Sequence, residues 1–217
     1  MAGLAGTVSC SLPSLVHAAT AIVLPAAAGN RRFSVLHKGN AIGTHTILFS
    51  SASGGTRVRT EIQLSVKGFF GSTAFAFSHR SDETWRAGQL MSLSSETVES
   101  GETIHVEGTA TPQGFRMVSK GGPFMASAAT LTSNNLWTPA VLEQTNLVDA
   151  LHGGIIGVSA RKFGDEQIVI TGREVRATRY TFITPYLAGG IWYDDQDLWV
   201  RGEFELGGSK IQYQLDL

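Results

Sequence analysis

Arg57-Val58-Arg59-Thr60-Glu61-Ile62-Gln63-Leu64-Ser65-Val66 alternates without a break. Val58, Thr60, Ile62, Leu64 and Val66 share one face, and Arg57, Arg59, Glu61, Gln63 and Ser65 share the other. Successive side chains of a strand point to opposite faces, so one face of this strand is buried and the other meets water. Half-burial of that kind belongs to antiparallel sheets, because parallel strands are covered on both faces.

The same grammar extends in both directions. Upstream, Ser53-Gly54-Gly55 is a turn, Ile42 to Phe49 a strand, Lys38-Gly39-Asn40 a turn, and Phe33, Val35 and His37 one face of a first strand. Downstream, Gly68-Phe69-Phe70-Gly71 breaks the pattern before Phe75, Phe77 and His79 lead a strand to Trp85. Ala87-Gly88, Ser100-Gly101 and Gln113-Gly114 separate the strands that follow, up to Ser119. Thr138-Pro139 is a helix start, with Thr as cap and Pro in the first turn, ahead of Ala140 to Gln144. Strands resume from Leu147, with turns expected at Gly153-Gly154, Gly164-Asp165, Gly172-Arg173 and Gly207-Gly208. Turns spaced roughly ten residues apart make an up-and-down meander. The expected fold is all-β: a single large curved antiparallel meander, half-barrel or barrel, of about a dozen strands with one short helix.

Composition narrows the function classes. Of 217 residues, 16% are charged and 42% hydrophobic, and 17 basic against 18 acidic residues leave a net charge of −1. Ordinary domains carry about 25% charge. A nucleic-acid binder would show a basic excess, so no nucleic-acid partner is expected. The length fits one β domain over residues 29–217. Met1 to Ala28 holds no Lys, Arg, Asp or Glu, and Ala26-Ala27-Ala28 offers a small-residue cleavage site. We read residues 1–28 as a leader and apolar N-terminal segment, although the positive charge that usually opens a secretory signal is absent. The location this implies is periplasmic or secreted. No stretch has the ~18 apolar residues of a spanning helix. The single cysteine, Cys10, falls in the leader, which leaves the mature chain without thiol chemistry.

Three segments carry a family resemblance: Ile42-Gly43-Thr44-His45 after the Gly39 turn, the run from Ser78-His79-Arg80-Ser81 through Trp85-Arg86 to Leu90, and Trp192-Tyr193-Asp194 followed by Phe204. In this order they resemble the uncharacterised exported bacterial family known as domain of unknown function 6134, over residues 31–217. Gln89 stands where that family often has Arg, and Leu136-Trp137-Thr138 stands in place of a "YWN"-like segment. The resemblance implies fold and export, and no activity. By layout alone the chain is also similar to curved-sheet periplasmic carriers of lipoproteins.

Candidate site residues follow from the β pattern. His79 and Glu83 share a strand face with Ser81 and Trp85, and so form a possible acid/base pair beside an aromatic ring. The same residues equally fit a polar strand face with structural hydrogen bonds. Trp85, Trp137, Trp192 and Tyr193 are the candidate ligand-lining aromatics, and Phe69 and Phe70, adjacent at a loop tip, a candidate partner or membrane contact. No HxH, HxxxH or HExxH spacing, G-x-S-x-G or G-x-G-x-x-G occurs, so no metal, serine nucleophile or dinucleotide cofactor is expected. Asp194-Asp195-Gln196-Asp197 reads as a solvated hairpin turn rather than a calcium loop. The function expected is binding or carriage of an apolar ligand such as a lipid. An envelope-assembly protein with a protein partner, and an enzyme using His79 and Glu83, are the alternatives.

Overall fold

A computed structural model describes residue 22 and residues 29–67, 73–206 and 208–216. Cys10, Phe69 and Phe70 lie outside these residues, as does all of the expected leader except Ile22.

Thirteen strands form one antiparallel sheet. They are β1 (Arg31–His37), β2 (Asn40–Ala52), β3 (Gly55–Lys67), β4 (Thr73–Arg86), β5 (Gln89–Glu99), β6 (Glu102–Thr111), β7 (Gly114–Ser119) and β8 (Gly122–Ala126), then β11 (Ser159–Ile170), β12 (Arg173–Ile183), β13 (Ala188–Asp194), β14 (Trp199–Leu206) and β15 (Ser209–Asp216). Between the two sets, β9 (Asn146–Val148) and β10 (Ile155–Gly157) make a separate hairpin. The strand order runs β11-β12-β13-β14-β15-β1-β2 and on to β8, so β15 pairs with β1 and the sheet ends at β11 and β8 without closing. The half-barrel is therefore the form observed.

Hairpin turns fix the register. At Lys38-Gly39 and Ser100-Gly101 both central residues have positive φ, 50° and 78° in the first, 52° and 83° in the second. That is the twist that matches right-handed strands, and glycine at the second position reaches it without strain. On β3 the alternation is realised: Val58, Thr60, Ile62 and Leu64 are buried.

Gly164-Asp165 is not a turn. The expected break falls inside the continuous strand β11, where the register shifts between Lys162 and Gly164 and leaves Phe163 unpaired. A bulge and a turn share the same local glycine signal. Asp194 does cap a hairpin turn, its Oδ1 accepting from the amides of Gln196 and Leu198 at 2.9 Å each.

The expected short helix is two 3₁₀ turns, Asn135–Trp137 and Pro139–Glu143, the second capped by Thr138. They belong to a plug, residues 127–158, which shows how strongly the sheet is rolled. Glu83 on β4 contacts Thr132 and Asn135, while the Tyr193 hydroxyl on β13 donates to the Leu136 carbonyl. Those two strands stand six positions apart in the sheet. Flat, that separation would be roughly 29 Å at ~4.8 Å per strand. Neighbouring plug residues reach both only because the sheet wraps around them. The main core forms there: Trp137 packs edge-on against Trp85 (5.7 Å, 87°) and against Phe49 (5.3 Å, 89°). Such edge-to-face pairs add to the burial of large apolar surfaces.

Tight backbone approach holds the second half of the sheet. A Cβ on Gly189 would lie 2.0 Å from the Glu203 carbonyl oxygen across the β13–β14 ladder. Gly189→Ala is expected to part these strands and cost about 1–3 kcal/mol, read as a lower urea midpoint. An unchanged midpoint would show that the ladder yields more easily than its geometry indicates.

Candidate functional site

The inward stripe of β4 runs Phe75, Phe77, His79, Ser81, Glu83, Trp85. Its three polar members meet three polar residues of the plug. Glu83 is 1% exposed. Its carboxylate accepts from Thr132 Oγ1 (2.6 Å), Asn135 Nδ2 (2.8 Å) and Trp85 Nε1 (2.9 Å). Asn134 Nδ2 donates to Ser81 Oγ (2.8 Å) and to His79 Nε2 (3.0 Å). That contact leaves the His79 proton on Nδ1, which donates to Thr97 Oγ1 at 2.8 Å. Burial lowers the His79 pKa to about 4, partly offset by the charge of Asp149. Burial raises that of Glu83 against the pull of its three donors. His79 and Glu83 thus share a face, as the alternation required, and their polar atoms are engaged by the plug, by Thr97 on β5 and by Trp85. Their surroundings match a structural hydrogen-bond set: β4 clasps the plug.

A second polar group lies where the plug leaves the core. Asp149, fully buried, accepts from Tyr186 Oη (2.9 Å) and the Leu151 amide (2.9 Å), and its Oδ2 lies 3.1 Å from His152 Nδ1. His152 Nε2 faces Glu99 Oε2 at 3.2 Å. The two carboxylates occupy opposite ring nitrogens, so they tie the imidazole in place and do not converge on a common point. Among the described residues no group of three or more His, Cys, Asp or Glu could hold a metal ion. His37 pairs with Asn40 and His45 with Phe33, four positions apart on β1. That separation is roughly 13 Å, too far for a shared ion.

Below the plug, the same inward face continues as a separate apolar cluster. Val35, Ile62, Leu64 and Ile211 are its buried members, with half-buried Ile42, Phe75, Phe77 and Tyr213 around them. His45 stands between the two clusters. Its neighbours across the ladder are Phe33 and Ile62. The rings of Trp199 and Tyr213 lie 5.4 and 5.7 Å from it. His45 is 3% exposed, and neither ring nitrogen has a hydrogen-bond partner. Burial, helped by the nearby His79, lowers its pKa to about 3.

Trp85, Trp137 and Tyr193 are in the core against the plug. Trp192 belongs to the same buried cluster, and in addition donates from Nε1 to Glu166 (3.1 Å) and is flanked by the guanidinium groups of Arg179 (4.9 Å) and Arg201 (5.3 Å). Arg179 also covers Phe163 at 4.6 Å. On the outward side of β3 to β6, Arg57, Asp82, Ser92, Ser94 and Glu107 border a shallow depression of about 380 Å³. It is polar and unsuited to an apolar ligand. Asn134, Asn135, Asp149, His152 and Tyr186 escaped sequence reasoning. The dense cap-and-turn run Thr132-Ser133-Asn134-Asn135 was the one available signal.

These features define a class: rolled, open antiparallel β sheets whose own chain plugs one end of the inner face. Residues 33–216 match the family described as "Domain of unknown function (DUF6134)", and the chain belongs to that family. Among solved structures, the chain is similar to a "Beta-barrel-like Protein of Domain of Unknown Function DUF1849 from Brucella abortus". The TM-score is 0.60 at 9% identity, covering 86% of this chain and 94% of that one. At that identity the likeness is one of fold. No curated protein matches the sequence. Among the described residues, no helix is long and apolar enough to cross a membrane.

Proposed function

We propose that this is an exported, periplasmic β-sheet protein that binds an apolar ligand such as a lipid on the inner face below the plug. The observation that carries the reading is the second apolar cluster. It occupies the same face as the main core, yet Ile42, Phe75, Phe77 and Tyr213 remain only half-buried there. Apolar side chains gathered on a concave face with few polar groups are what small apolar ligands use. The absence of charge from Met1 to Ala28 supports export.

The test is native mass spectrometry and lipid extraction of the protein purified from a periplasmic fraction. A stoichiometric co-purifying lipid is expected. Protein recovered empty that takes up no fluorescent fatty acid would overturn the ligand reading, and recovery only from the cytosol would overturn export.

A partner-binding reading has its own observation. Phe163 and Val169 on the edge strand β11 are 65% and 64% exposed, and Ile183 at the end of β12 is 51% exposed. Unpaired edges with apolar side chains invite pairing with another chain. Crosslinking from Phe163 in cells would capture an envelope protein if that reading holds.

A further inference from the structure

Among the described residues His45 is the buried side chain with two unpartnered ring nitrogens, which the fold alone does not account for. Buried polar groups in folded proteins are almost always hydrogen-bonded. His79, Ser81, Glu83 and Thr97 obey that rule, whereas His37 Nε2 on β1 and Trp137 Nε1 in the plug are buried and unpartnered. His45 is as buried as they are, and both its nitrogens are unpartnered. The plug, which satisfies His79 and Glu83 through Thr132, Asn134 and Asn135, supplies no group to His45. A neutral imidazole carries one N–H donor and one lone pair. The ring is enclosed by Phe33, Trp199 and Tyr213, with Ile62 across the ladder, between the main core and the apolar cluster of Val35, Leu64 and Ile211.

We propose that His45 is the head-group contact of the ligand site, and that the site takes a single-chain lipid with an uncharged oxygen head, a long-chain alcohol or monoacylglycerol. The chain covers the half-buried Ile42, Phe75, Phe77 and Tyr213 above the buried Val35, Ile62, Leu64 and Ile211, and the hydroxyl hydrogen-bonds His45. An ionised head is disfavoured, because the rings around His45 are those of Phe33, Trp199 and Tyr213, which supply no cation, and a buried carboxylate without one is expensive. This inference rests on the apolar-ligand reading above and adds the chemistry of the head group.

The experiment compares decane, decan-1-ol and decanoate by NMR on the full chain labelled with ¹⁵N-histidine and ¹³C-methyl groups. Decan-1-ol is expected to bind about tenfold tighter than decane, as one good hydrogen bond allows, and to shift the His45 ring ¹⁵N resonances. His45→Phe keeps the ring volume and is expected to bind decane as before while losing the preference for the alcohol. His45→Gln, which restores a donor and an acceptor, is expected to regain part of it. Equal binding of alcohol and alkane, a preference that survives in His45→Phe, or tighter binding of decanoate than decan-1-ol would each overturn the head-group assignment while leaving the apolar-ligand reading intact. Binding of none of the three would overturn both. The wild-type ¹⁵N shifts decide the matter even if a variant fails to fold.

Discussion

Glu83→Ala is expected to cost about 3–5 kcal/mol, among the largest losses a single substitution produces. The change removes the acceptor from three donors, Thr132 Oγ1, Asn135 Nδ2 and Trp85 Nε1, at a buried position. Each stranded donor costs about 1–3 kcal/mol, though the losses are not additive because the plug relaxes. Domains of this kind have about 5–15 kcal/mol to lose. The loss is expected to be local first. Backbone amides of Leu131 to Trp137 should exchange faster in the variant, while those of β14 and β15 change only with global stability. Glu83→Gln keeps the volume and one carbonyl acceptor and should lose less than the alanine change. A Glu83→Ala midpoint equal to wild type would mean that the plug is held by packing alone.

Acidification is the second large effect. His45 and His79 have folded pKa values lowered to about 3 and about 4, against 6.5 unfolded. A base whose pKa is depressed by folding contributes stability that is fully present above pH 6.5. That stability is lost as pH falls toward the folded value, because the unfolded chain takes up the proton first. Each histidine should contribute about 1.4 kcal/mol per pH unit, so together they remove about 4–5 kcal/mol between pH 6.5 and 4.5. Glu83 works in the opposite sense. Its raised pKa means the folded state takes up a proton before the unfolded one, which gains stability as pH falls. Asp149 and His152 also face His79, the first favouring and the second opposing its protonation. Urea midpoints of Glu83→Gln from pH 7 to 4.5 isolate the histidines. A steep fall is expected there, roughly halved when His79→Gln is added. A flat profile would contradict the burial of both rings.

The sheet was legible because its physics is local. Alternation in Arg57 to Val66 places five side chains without knowledge of any partner strand, and x-Gly pairs at Lys38-Gly39 and Ser100-Gly101 mark hairpins by backbone chirality alone. The shared face of His79 and Glu83 came from the same rule. What those residues face did not, because Asn134 and Thr132 lie 55 and 49 residues away from them. Thr132-Ser133-Asn134-Asn135 has the composition of a surface loop. Its burial depends on the Glu83 carboxylate and the Ser81 hydroxyl, which local composition does not reveal. The group of Glu99, Asp149, His152 and Tyr186 draws on distant segments with no common spacing. Gly164 misled for a different reason: a bulge inside a strand and a turn between strands make the same local demand, and only pairing with β12 distinguishes them.

The chain itself fills the upper part of the inner face, the proposed ligand site is the half-buried lower part, and methyl NMR tests that division most directly. On titration with decane, the methyl resonances of Val35, Ile62, Leu64 and Ile211 should shift together, while those of Leu131, Leu147 and Val148 in the plug stay in place. Shifts confined to the exposed Val169 and Ile183, or no shifts at all, would contradict it.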